Sequence, residues 1–154
     1  MARNGTHHRD GNEQIMIVLG GNDSGKYGSL AKTIQDELMA VGTVVDDNVQ
    51  AIFDDVGKEA ARKLRETSPE NEQGKQRGRY KRGWVYESGR RTKSQKASGV
   101  VRNKTDPQLT HLLEYGHPIV RNGQVVGQSP EIEHIRPVAD WVSSEIESRL
   151  NELL

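Results

Sequence analysis

Apolar residues recur at helical spacing in two long stretches of the chain. In the first, Val45, Val49, Ile52, Phe53, Val56, Ala60 and Leu64 are separated by threes and fours, which places them on one face and predicts a helix to about Glu66. Thr43 or Asp46 is its candidate cap. Acids gather at its start and Lys63 and Arg65 at its end, as the helix dipole prefers. Pro69 then blocks continuation. In the second stretch, Val138, Trp141, Val142, Ile146, Leu150 and Leu153 form the stripe of a terminal helix, with Pro137 placed as its first residue. Leu30, Ile34, Leu38 and Val41 predict a further helix capped by Ser29. Leu109, Leu112 and Leu113 predict a short one, which Gly116 stops by taking the left-handed conformation.

Between these lie short β-like runs: Ile15–Leu19, Trp84–Tyr86 and Ser98–Asn103. Ile119-Val120 and Val125-Val126 flank Asn122-Gly123, the strongest short signal for a hairpin, because a type I′ turn needs positive φ at both central residues. From Glu70 to Arg82 the chain is polar and glycine-punctuated, and reads as a mobile loop. The pattern predicts an α+β fold: a small antiparallel sheet with a β-hairpin, packed by a long helix in the N-terminal half and by the C-terminal helix. Residues 1–13 read as a disordered arm. Residues 14–154 read as a single domain with a long basic loop at about 70–98.

Composition changes this picture in two ways. Only 32% of the 154 residues are apolar and mean hydropathy is −0.81, lean for a free-standing globule and suggestive of stability borrowed from partners. Formal charge is zero, with 22 basic and 22 acidic residues, but the signs are segregated. Half of the basic residues fall between Gly74 and Thr105, among them Lys75, Arg77, Arg79, Lys81, Arg82, Arg90, Arg91, Lys93 and Lys96, against Glu87 as the one acid. Such a run can neutralise phosphates non-specifically, with Tyr80, Trp84 and Tyr86 near enough to stack on bases. It can equally be a solvated loop, or dock on an acidic neighbour such as the first long helix of another copy, a head-to-tail contact that closes into a ring. There is no cysteine, hence no disulfide framework or thiolate site. No apolar run is long enough to span a bilayer, and the start of the chain lacks an apolar signal core.

Three patterns suggest chemistry, and each fails on its own terms. Gly20 to Lys26 has the spacing of a phosphate-binding loop, but Tyr27 stands where a Ser or Thr must hold magnesium, and the helix begins only after Gly28. His111, Glu114 and His117, with His134 further on, offer zinc-ligand types. Gly116 breaks the helix between Glu114 and His117, however, so structural roles are expected, each His donating a ring proton to a backbone carbonyl. No nucleophile elbow accompanies the serines and histidines. No catalytic residue, cofactor or metal is expected.

The run LTHLLEYGH, followed by the Asn-Gly hairpin and by IEHIRP leading into the last helix, resembles the head–tail joining (neck, or tail-completion) proteins of long-tailed bacteriophages. SPENEQGKQRGRYKRGWVY is similar to that family's pattern of a Pro after a long helix and then a Gly-x-aromatic run opening a strand. Together these cover roughly Val45–Leu154. The resemblance implies a non-enzymatic structural virion protein of the neck or tail top, assembled in host cytoplasm. It implies a ring of six copies between the tail tube and the head connector, with DNA passing non-specifically through its channel and no membrane involved. Gly74–Lys96 would then be the interface or channel-lining loop, and His111–Val126, with Gly116, Asn122 and Gly123, the helix–hairpin scaffold. A tail terminator ring and a small basic-loop DNA-binding module are the alternatives.

Overall fold

The computed structural model describes residues 14–20, 46–70, 76–89, 92 and 95–153. The arm 1–13, the loop and helix expected over 21–41, and the candidate residues Lys75, Arg90, Arg91 and Lys93 lie outside them. Three strands form one antiparallel sheet in the order β1-β3-β2: β1 Ile17–Gly20, β2 Trp84–Ser88 and β3 Ser98–Asn103. β3 is central, with Ile17 opposite Val101 on one side and Tyr86 opposite Val101 on the other. Alternation along β3 buries Gly99, Val101 and Asn103 on one face, as a half-covered sheet requires.

The long helix α1, Asp46–Thr67, lies against β2 and β3, and the terminal helix α4, Ile135–Leu153, packs along α1. The stripe expected on α1 is the core: Val49, Phe53, Val56, Ala60 and Leu64 have no exposed surface. Val138, Val142, Ile146 and Leu150 supply the α4 side. Leu153, assigned to that stripe, is 43% exposed, and α4 starts at Ile135, two residues ahead of Pro137. Where α1 meets β2, Gly57 makes room for the Tyr86 ring: a Cβ there would stand 2.2 Å from ring atoms.

The mobile loop expected from Glu70 to Arg82 needs correction at its end. Arg79–Arg82 form a short helix, α2. It is held because Tyr80 is a core residue, 7% exposed, packed edge-on against Trp84 with centroids 5.9 Å apart. One aromatic ring in a polar run carries enough apolar area to anchor the segment.

The short helix α3 spans Pro107–Tyr115 and leads to the hairpin strands β4, Pro118–Arg121, and β5, Gln124–Gln128. Asn122 and Gly123 have φ of 52° and 77°, the positive values that the Asn-Gly turn predicts. Gly116 ends α3 at φ 73°, ψ 174°. That is not the left-handed helical region expected from the sequence: φ is positive but the residue is extended, so it swings the chain out into β4. A Cβ here would lie 2.6 Å from the Ser129 carbonyl oxygen, so glycine is required twice over. The hairpin is a separate two-stranded sheet, and every residue of both its strands is exposed.

Candidate functional site

Two regions stand out for chemistry or binding: a buried polar centre between α2, α3 and α4, and the projecting hairpin. At the centre lies Glu114, on the inward face of α3 and 2% exposed. One carboxylate oxygen accepts the amides of His134 and Ile135, and the other accepts that of Arg136, all at 2.9 Å. These amides open α4, where a helix has donors without partners in its own turn. An acid from a different helix therefore caps α4. Burial alone would raise the Glu114 carboxyl, but the hydrogen bond from His134 and the three amides outweigh it and hold the group at about 2.

His134, 3% exposed, connects this cap to α2. Its Nδ1 lies 2.6 Å from the Ile132 carbonyl and 3.1 Å from the Glu114 carboxylate, so that nitrogen carries the proton. Its Nε2 then accepts the Tyr80 hydroxyl at 2.7 Å. Burial, and after it the charges of Glu114 and Asp106, push the Tyr80 hydroxyl above the usual tyrosine range; it stays a neutral donor. Trp84 closes the cluster, donating its indole N–H to Ser68 at 2.8 Å. Asn103, fully buried, donates to the Tyr80 carbonyl at 2.8 Å and accepts the Asp106 amide at 2.9 Å. The acid–imidazole–hydroxyl series has the connectivity of a catalytic triad. Its hydroxyl belongs to a buried tyrosine already bonded to the imidazole, and all three groups serve to join helices.

The four histidine and acid positions read as possible ligands are thus dispersed. His111 packs against the Tyr115 ring, centroids 5.1 Å apart. His117 accepts the Ser129 hydroxyl at Nδ1 (2.9 Å), while its amide donates to the same oxygen at 2.8 Å, which pins the foot of the hairpin. His134 does donate to a carbonyl as expected; His117 bonds a hydroxyl instead. Among the described residues no group of His, Asp and Glu is placed to hold a metal ion.

The basic residues that are described turn towards the chain's own acids and carbonyls. Arg77 and Lys81 both reach Glu70, at 2.8 and 3.5 Å. Arg79 stands 3.5 Å from Asp106 and donates to the Thr105 carbonyl at 3.2 Å. Arg82 donates to the Arg77 carbonyl at 3.1 Å. Lys96 is exposed at the foot of β3. Glu70 and Asp106 lie just outside the run that looked one-signed in sequence, and the fold brings both onto it. No helix of the described residues is long and apolar enough to cross a membrane.

On the hairpin, Ile119, Val120, Val125 and Val126 are between 38% and 68% exposed. Sequence reading placed the turn at Asn122-Gly123 but gave no sign that the ribbon stands clear of the core. The signal available was its short reach: a few residues on each side of a tight turn, with no apolar run beyond them to pair with the main sheet.

Fold and site together define a small α+β building block whose buried ionisable groups join its own elements and whose bare apolar surface is a projecting ribbon. The model of the HK97-gp10-like family, described as "Bacteriophage HK97-gp10, putative tail-component", matches residues 32–116. That span is more than half of the chain, and the chain belongs to this family of phage tail components. No match was found among curated proteins or among solved structures.

Proposed function

We propose that the protein is a non-enzymatic ring subunit of the phage neck, a tail-completion protein that joins the finished tail to the head connector. The observation that carries this reading is the family match over residues 32–116. The geometry supports it: the polar centre is consumed in joining helices, and a projecting apolar ribbon suits a subunit that finishes its burial on assembly. The partners are other copies of the chain, the head connector, and the tail tube or terminator. DNA crosses the channel without being read. The basic segment from Lys75 to Lys96 is the contact or channel-lining loop. Within it Arg77, Arg79, Lys81 and Arg82 brace the fold, leaving Arg90, Arg91, Lys93 and Lys96 for partners or DNA.

Electron microscopy of particles assembled without the protein is the test. Full-length tails that remain unjoined to filled heads are expected. Normal joining would overturn the reading, and tails of uncontrolled length would assign the terminator role instead.

A further inference from the structure

We infer that the β4–β5 hairpin is a contact between copies, each ribbon lying face to face between the ribbons of its two neighbours. The inference rests on the ring reading above and adds the surface that builds the ring. The hairpin lies beyond the span matched by the family model, so nothing about the family assigns it this role.

A two-stranded ribbon alone in water is marginal, and this one is anchored only at its foot, where Ser129 donates its amide to the His117 carbonyl at 2.8 Å. Both of its faces are apolar. Val120 and Val125 are cross-strand partners and share one face, while Ile119, opposite Gly127, belongs to the other. A single partner on one side would leave the other face wet. A head-to-tail repeat of one chain covers both faces with one contact.

The edges are closed to a different solution. Pro118 opens β4 without an amide hydrogen, and the register slips between Ile119 and Val120, leaving Val126 as an extra residue in β5. A proline and a bulge are the devices that stop strand addition along an edge. Contact must come through side chains on the faces.

A second copy also has the matching surface. Among the described residues the large apolar side chains left exposed are the four on the hairpin, Ile132 just after it, and Leu153. The ribbon is therefore the apolar area of comparable size that another copy can offer. Residues 117–128 contain no acid and only Arg121 as a fixed charge, so like ribbons stack with little repulsion. The bare area, on the order of a few hundred Å², falls short of the roughly 800 Å² per partner of a stable pair. Association in solution is accordingly weak and concentration-dependent, and gains strength when the contact is repeated around a closed ring.

The chain has no cysteine, which makes thiol mapping direct. In the full-length double variant Ile119→Cys/Val125→Cys, each face carries one thiol and the two cannot bridge within a ribbon. Mild oxidation at high protein concentration is expected to give a ladder of covalent multimers, while either single variant stops at the dimer. A triple variant, Val120→Thr/Val125→Thr/Val126→Thr, keeps β-branched side chains and so keeps the hairpin. It should self-associate at least about tenfold more weakly by sedimentation velocity, a fall of roughly one decade in association constant, with an unchanged thermal midpoint. Oligomers without a ladder would overturn the ribbon contact and leave the ring standing. Absence of oligomers both in solution and in the joined neck would overturn the ring as well. A triple variant that associates like the parent yet fails to join tails would assign the ribbon to another virion protein and overturn the inference.

Discussion

Glu114 and His134 are bonded twice: the carboxylate accepts the backbone amide of His134 at 2.9 Å and stands 3.1 Å from Nδ1 of the same residue. One acid so fixes the position of α4 relative to α3 and sets which imidazole nitrogen holds the proton. That leaves the other nitrogen as an acceptor, and Tyr80 fills it. Three elements distant in sequence meet through two side chains.

Glu114→Ala removes an acceptor from three amides that are sheltered from water. Leaving buried donors unpaired costs far more than losing an exposed contact. Urea unfolding should show a loss of about 3 kcal/mol. Glu114→Gln keeps the shape and one good acceptor, and should lose roughly half as much. Equal losses in the two variants would mean that packing, and not acceptance, is what matters.

Acid stability follows from the same carboxylate. Glu114 is held at about 2 in the fold against an ordinary 4.5. The folded state therefore binds its proton less readily than the unfolded chain, and the stabilisation is complete above pH 4.5. It is lost as pH falls from 4.5 towards 2, to a total of about 3 kcal/mol. Unfolding free energy measured across that window should fall steeply in the parent chain and distinctly less steeply in Glu114→Gln.

Gly57 lies inside α1, where alanine would ordinarily gain about 1 kcal/mol of helix propensity. Here a Cβ would meet the Tyr86 ring at 2.2 Å. The ring cannot simply swing away, because its hydroxyl donates to Asp54 at 2.7 Å. Gly57→Ala is expected to destabilise by about 1–2 kcal/mol net, within the range for overpacked sites. Combining it with Tyr86→Ala should recover the helix gain, a coupling that a double-mutant cycle reads directly.

The long helices, the three-stranded sheet and the Asn-Gly hairpin were legible because periodicity and turn chemistry are local: Phe53 and Leu64 declare their face by spacing alone. Tyr80 was not legible. It sits among charged and glycine residues, and its burial depends on Trp84 and His134, the latter 54 residues away. Glu114 was read as a possible metal ligand for the same reason, since nothing nearby in sequence shows that the start of α4 will arrive with three open amides. The basic run misled in a related way. Arg79 looks free until the fold brings Asp106 within 3.5 Å of it.

That difference among the arginines gives the sharpest test of the proposed joining role. Arg77 and Arg79 pair with Glu70 and Asp106, so charge reversal there alters the fold's own contacts, by up to about 1 kcal/mol each for such exposed pairs. Arg90→Glu/Arg91→Glu changes the basic loop away from those pairs. The unfolding midpoint of that variant should match the parent, while the fraction of tails joined to heads, counted by electron microscopy, should drop at least about tenfold. A tenfold loss corresponds to about 1.4 kcal/mol of contact free energy, which two buried or channel-facing arginines supply readily. If instead the variant unfolds more easily and joins normally when kept cold, the loop is part of the packed structure and the joining surface lies elsewhere.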